Sequence, residues 1–268
     1  MRLPLLTTML VLLALPGCTA NPVTERPQLM LVSGEQAVAD GAAAYAELLE
    51  MADYRHALNG DAKMVERVRA IANRLIPQAV GYRPAIAAWQ WEVNVFMSDL
   101  PNAFCLAGGK IGVNSGLLLR LAPTDDELAQ VIGHEIAHAL SDHGRERAST
   151  AIASTVSIRA LVFSQHLNTV ASQLLKDAAR VGVNLPNSRL AEAEADRIGM
   201  LIAAKAGFDP GAVITLWKKI GAREVAGTSS LLSTHPLPAE RIAALQGEAD
   251  RLRITVGEAA AGGAPDKP

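Results

Sequence analysis

The chain has 268 residues, of which 50% are hydrophobic, 19% charged and 4% aromatic. This supports one ordinary domain, or at most two small ones, and excludes wholesale disorder. Lys+Arg is 25 against Asp+Glu 27, a formal charge of -2, so no basic excess is available for nucleic acid, and two cysteines exclude a disulfide-rich scaffold.

The N-terminus reads Met1-Arg2, then an uncharged apolar stretch over residues 3–15, then Pro16-Gly17-Cys18. A positive start followed by a short apolar run is a secretory signal, and it is too short for a span of roughly 20 apolar residues. Leu15-Pro16-Gly17-Cys18 resembles a bacterial lipobox, with Pro16 an unusual occupant. That resemblance implies cleavage of residues 1–17 and acylation of Cys18, which would anchor the protein at a membrane surface. Thr19 follows in place of the Asp that retains such proteins at the inner membrane, which favours the outer one. Residues 18–30 hold Asn21-Pro22 and Arg26-Pro27 without apolar periodicity and read as a lipidated tether.

Residues 36–51 and 61–76 carry helical apolar periodicity, the second expected to end at Pro77 and Gly81. Residues 89–97 alternate apolar and polar, which predicts a strand with one apolar face. Residues 104–113 contain Gly108-Gly109 and predict a hairpin. Thr124 with Glu127 forms a capping-box pattern that opens a third helix. Residues 148–175 read as a buried or lid-like helical segment. Helices follow over 189–207 and 210–223, and a last one after Pro238, before a disordered tail at 256–268. Helices, a small sheet, then helices again make an α+β fold, mainly helical, with residues 31–255 as the domain.

Inside the third helix stands His134-Glu135-Ile136-Ala137-His138. Two imidazoles at i and i+4 share a helix face and can bind one zinc ion, while Glu135 can act as general base on a water. Chance yields about 0.008 such matches in a chain of this composition. A catalytic zinc usually keeps three protein ligands and an open position. The metzincin spacing fails, because Ser141 and Gly144 stand where it needs Gly and His. His143 lies off the ligand stripe and reads as a helix-end histidine. Further on, Glu192 and Asp196 share a helix face while Glu194 points elsewhere, so Glu192 is the candidate third ligand and Asp196 its supporting carboxylate.

These motifs, with Asn21-Pro22-Val23-Thr24, Asn102-Ala103-Phe104-Cys105, Gly108-Gly109-Lys110-Ile111 and Thr234-His235-Pro236, resemble the M48 family of zinc metallopeptidases. The likeness is to its bacterial single-domain lipoprotein members and runs over nearly the whole chain after residue 20, in family order. Leu106-Ala107 departs from it, since Pro often precedes the double glycine there. The resemblance implies a zincin-like domain with one zinc held by His134, His138 and Glu192, and with Asp196 buttressing His134. It implies an edge strand at Asn102, Ala103 and Phe104 that pairs with substrate backbone. His235 is implied over the metal, as oxyanion donor or as a latch in the open position, and Arg241 at the oxyanion or bracing the His235 loop. The activity implied is an endopeptidase of the bacterial envelope, lipid-anchored and facing the periplasm. Its partners would be unfolded or misassembled envelope polypeptides, with no nucleic acid. Two alternatives remain: a chaperone-like polypeptide-binding lipoprotein with little peptidase activity, and a zinc hydrolase of non-peptide amides.

Overall fold

This computed structural model describes residues 18–164, 188–224, 235 and 239–262. The chain enters through a short antiparallel ribbon, β1 (Cys18–Ala20) and β2 (Pro27–Leu29). Residues 18–30, expected to be a tether, are instead held against the domain. Asn21, Gln28 and Met30 are buried, and the Asn21 and Gln28 amides both donate to the Ser141 carbonyl. Buried amides need partners, and these find theirs on the domain body, which a search for apolar periodicity does not detect.

α1 (Gly34–Tyr54) begins at Ser33, whose hydroxyl accepts from the Gln36 amide. α2 (Ala62–Tyr82) begins at Asp61 in the same way. The expected stop at Pro77 does not occur: the helix runs through it to Tyr82. Pro77 and Asn73, whose carbonyl loses its partner, are both on the exposed side, so water can satisfy that carbonyl. On the opposite side Val68, Ala72, Leu75 and Ala79 are fully buried. Burying a Leu side chain alone contributes about 1.5–3 kcal/mol, so together these offset a proline cost of about 3 kcal/mol.

A 3-10 turn (Pro84–Ala88) leads to β3 (Glu92–Phe96), β4 (Ala103–Leu106) and β5 (Lys110–Asn114). Their order is β3-β5-β4, with β3 parallel and β4 antiparallel to the central β5, which leaves β4 at an edge. The hairpin falls where expected, and Gly108 and Gly109 supply the positive φ of its turn. β3 is shorter than the alternation suggested, and it is covered on both faces. Val93, Asn94 and Val95 are all buried, because α1 lays Tyr45 across the sheet, where Asn94 Nδ2 donates to its hydroxyl and that hydroxyl donates to the Ile111 carbonyl.

A helix not foreseen, α3 (Ser115–Leu121), follows β5; its seven residues are too few to show a period. α4 (Asp125–Leu140) carries the full reciprocal capping box between Thr124 and Glu127, and its residues 127–140 are buried without interruption. α5 (His143–Ser164) covers the first part of the predicted segment 148–175, whose remainder lies outside the described residues. α6 (Arg189–Lys205), α7 (Ala212–Glu224) and α8 (Ala239–Gly262) complete the fold. α8 continues past the expected start of disorder at 256, since Glu258 and Ala259 to Ala261 are strong helix formers; residues 263–268 lie outside the described residues. No helix among the described residues is long and apolar enough to cross a membrane.

α4 is the hub, packed by α2, β4, α6 and α7. Its crossing with α6 is a backbone contact made between Gly133 and Gly199. A Cβ on Gly133 would stand 2.9 Å from the Gly199 carbonyl oxygen, and one on Gly199 2.8 Å from the His134 amide nitrogen. Two glycines therefore set how near α6 comes to the histidines of α4.

Candidate active site

α4 presents His134 and His138 one turn apart, with ring centroids 4.6 Å from each other. Across the glycine crossing α6 supplies Glu192, Glu194 and Asp196, residue 235 supplies a third imidazole, and α8 supplies Arg241. All are buried apart from Glu194, which is partly so. His134 Nε2 lies 3.0 Å from His138 Nε2 and 3.4 Å from Glu192 Oε2. His138 Nε2 lies 3.3 Å from Glu192 Oε1. His235 Nδ1 lies 3.2 Å from His134 Nε2 and 2.9 Å from Glu192 Oε1. One donor atom from each of these four residues therefore falls within 4.8 Å of the others.

That donor set fits a metal ion. Ligands at about 2.0–2.1 Å in tetrahedral array stand roughly 3.3 Å apart, close to the separations found here. The outer nitrogens face other polar groups: His134 Nδ1 lies 3.1 Å from Asp196 Oδ1, and His138 Nδ1 lies 2.8 Å from His143 Nδ1. The two Nε2 atoms are thus left facing each other in a buried space, and a cation answers that arrangement, whereas two apposed lone pairs repel. Imidazole and carboxylate are donors that zinc accepts.

The same contacts set the charge state of each group. For Glu192, burial works against ionisation, but hydrogen bonds with His134, His138 and His235 outweigh it and hold the carboxyl far below its ordinary range. Burial would lower His134, yet Asp196 and Glu192 overcome it and lift its pKa to about 10. His138 is pulled well below its ordinary value, first by burial, which suits a neutral imidazole donor. Burial likewise raises Glu135, against the pull of His235 and His134.

Arg241, expected at an oxyanion or under the His235 loop, is found with its guanidinium along the carboxylates. Nε and Nη2 donate to the two oxygens of Asp196, and Nη1 lies 2.8 Å from Glu192 Oε2. Asp196 stays ionised, since Arg241 and His134 outweigh its burial. Asp196 also stands where expected, behind His134. His235 faces the cluster with Nδ1 and Glu135 with Nε2, which lies 3.4 Å from Glu135 Oε1. The remainder of its Pro/Ser-rich loop lies outside the described residues.

Beside the cluster runs a cleft lined by Phe104, Cys105 and Leu106 of β4 together with Glu135, His138 and His235. Asn102, also on its wall, precedes β4, and Ala103 is buried under it. Among the described residues β4 pairs only with β5, so its outer backbone edge faces the cleft. Two side chains whose spacing points them away from the ligand stripe nevertheless adjoin the cluster. His143 touches His138 and Glu194 touches His143; the spacing of His143 behind a helix end was visible, but not the turn that folds it back.

Comparison with known proteins agrees with this geometry. Over 156 residues the chain is 37% identical to the mitochondrial metalloendopeptidase OMA1 of Schizosaccharomyces pombe, covering 57% of this chain and 45% of that protein. Over 232 residues it is 32% identical to the mitochondrial metalloendopeptidase OMA1 of Bos taurus, covering 81% of this chain and 43% of that one. Over 225 residues it is 28% identical to the beta-barrel assembly-enhancing protease of Escherichia coli K12, covering 78% and 45%. The matched regions thus make up less than half the length of each of these relatives. The profile of Peptidase family M48 matches residues 62–249, a stretch that holds the whole four-donor cluster, Glu135 and the β4 edge. With most of its length matched and the motif residues assembled in one place, the chain belongs to peptidase family M48.

Proposed function

We propose that this protein is a zinc-dependent endopeptidase that cleaves unfolded or misassembled polypeptides in the bacterial cell envelope. The observation that carries this reading is the convergence of His134, His138, Glu192 and His235 beside Glu135, at a cleft bordered by a strand edge that is unpaired among the described residues. His134, His138 and Glu192 would hold one zinc ion, which when bound supplies a Lewis acid that acidifies water and polarises a peptide carbonyl. Glu135 takes a proton from the attacking water and returns it to the leaving amine; its burial makes it a stronger base than an exposed carboxylate. Asp196 stands behind the His134 ring, and Arg241 keeps Asp196 ionised and lies against Glu192. His235 caps the donor set in this conformation, and when it turns aside it can donate to the developing oxyanion.

An extended substrate segment adds to the outer edge of β4, with backbone pairing for affinity. Folded proteins have few such segments to offer, which supports a preference for unfolded chains. The envelope location rests on the signal-like residues 1–17 and on acylation of Cys18, which would anchor the protein at the outer membrane, facing the periplasm. One relative is named a beta-barrel assembly-enhancing protease, which supports outer-membrane proteins as one substrate class. The test is digestion of casein, and of one protein in native and unfolded forms, by wild type and Glu135→Gln. Cleavage by the wild type alone, faster on unfolded chains, is expected. No cleavage by the wild type removes the peptidase reading, and equal rates on both forms remove the quality-control reading.

A further inference from the structure

We propose that His143 and Glu194 are positioning residues for the metal ligand His138, and that the N-terminal ribbon clamps the outer end of this relay. The inference rests on the metal site argued above.

The relay begins with a turn. α4 ends at Leu140, and Asp142 takes φ 56°, a left-handed conformation that reverses the chain. His143, first residue of α5, is thereby folded back beneath His138, with ring centroids 4.9 Å apart and planes at 72°. Its side chain is 1% exposed. Nδ1 lies 2.8 Å from His138 Nδ1, and Nε2 lies 3.1 Å from Glu194 Oε2.

The proton positions in this chain follow from one condition. A neutral imidazole has one donor nitrogen and one acceptor nitrogen. If His138 offers its Nε2 lone pair to a metal, its proton sits on Nδ1 and is donated to Nδ1 of His143. The proton of His143 is then on Nε2 and is donated to the Glu194 carboxylate. For His134 a carboxylate, Asp196, stands directly behind the ring. For His138 the corresponding carboxylate is Glu194, placed one imidazole further out.

Glu194 is itself held by the ribbon. Its Oε1 accepts from the Thr24 hydroxyl and its Oε2 from Arg26 Nε at 3.0 Å. Arg26 makes two more hydrogen bonds, of 2.8 and 2.7 Å, to the two oxygens of Glu146, which also accepts from Gln28. Asn21 Oδ1 accepts from the Val23 and Thr24 amides and so fixes the turn that presents Thr24. The chain from 21 to 28, which looked like a tether, thus ends in hydrogen bonds two side chains away from the metal ligand. This ties the seating of the N-terminal segment to the orientation of His138.

The test is zinc affinity of the full chain, read by competition with a chromogenic chelator, with unfolding of the metal-free protein followed in parallel. His143→Phe keeps a flat ring and removes the acceptor; it should bind zinc about 10–100-fold more weakly, the usual cost of losing such a support. His143→Asn places an amide oxygen near the position of Nδ1 and should stay within about threefold of wild type. Thr24→Val should weaken zinc binding by roughly 2- to 10-fold, the worth of one hydrogen bond. Wild-type affinity in His143→Phe overturns the relay, whatever its stability. Equal weakening in His143→Phe and His143→Asn also overturns it, because packing rather than an acceptor would then be responsible. If His143→Phe does not fold, Thr24→Val decides: weaker zinc binding supports the relay and unchanged binding overturns it. A wild-type chain that binds no zinc overturns the metal site and the relay with it.

Discussion

Gly199→Ala probes whether the α4–α6 crossing sets the geometry of the site. The added Cβ would stand 2.8 Å from the His134 nitrogen, 2.9 Å from the Gly133 carbonyl carbon and 2.9 Å from His134 Cα. All three are backbone atoms, so no side chain can rotate out of the way. Non-bonded carbons rest about 3.5–4.0 Å apart, so the two helices must part by roughly 0.6–1.1 Å. Glu192 travels with α6, and its oxygens now lie 3.3 and 3.4 Å from the imidazole nitrogens. Overpacking of this kind costs about 1–3 kcal/mol of stability. A displacement near 1 Å at a reacting centre costs about 10²-fold in rate. Urea unfolding, chelator competition for zinc and kcat/KM on unfolded casein measure the three effects. Gly221→Ala is the control: it lies exposed in α7 with nothing within 4 Å of the added Cβ. It should leave activity unchanged and stabilise the helix by about 0.5–1 kcal/mol. If Gly199→Ala keeps wild-type stability, zinc affinity and activity, the crossing does not control the site.

Three further outcomes are expected. His235→Ala removes the donor that caps the cluster but leaves His134, His138 and Glu192, so it should still bind zinc and should cleave unfolded protein with weaker restraint on basal activity. Zinc loss would make His235 an obligatory ligand, and unchanged kinetics a bystander. Glu127→Gln weakens contacts to the Thr124 amide, the Thr215 hydroxyl and Lys219, and should cost about 1.5–3 kcal/mol near neutral pH. Burial opposes the Glu127 charge, but Lys219, Thr124 and Thr215 outweigh it and keep its pKa below 4.5. Its contribution is therefore complete above about pH 4.5 and is lost as pH falls through the lower folded-state value. Urea titrations should show wild type and variant converging at acid pH, and a pH-independent gap would contradict this. Finally, Cys18→Ser should abolish fatty-acid labelling and membrane fractionation, whereas a soluble periplasmic wild type would refute the anchor.

What was legible in the sequence is what a single segment decides. The α4 capping box, the i, i+4 spacing of His134 and His138, and the shared face of Glu192 and Asp196 are all settled within one or two helical turns. The Gly108-Gly109 hairpin is equally local. What escaped depends on partners far along the chain. Pro77 is tolerated because of what α2 packs against on its other face, the 18–30 segment is folded because Ser141 receives its amides, and Arg241 turns to Asp196, 45 residues earlier.

Glu192 and Glu194 show the boundary most clearly. They are two residues apart on one helix, so spacing correctly sends them in different directions. The bland expectation for the second is a solvated acid. Instead both directions are occupied by imidazoles, because α6 is wedged between α4 on one side and the α5 start with the N-terminal ribbon on the other. Helical periodicity reports which residues share a face. It does not report that a second face meets polar partners, since that requires a left-handed residue at Asp142 and a ribbon folded back from residues 21–28. For a site of this kind, the proposed metal ligands follow from local spacing, while the groups proposed to orient them follow from chain reversals between elements.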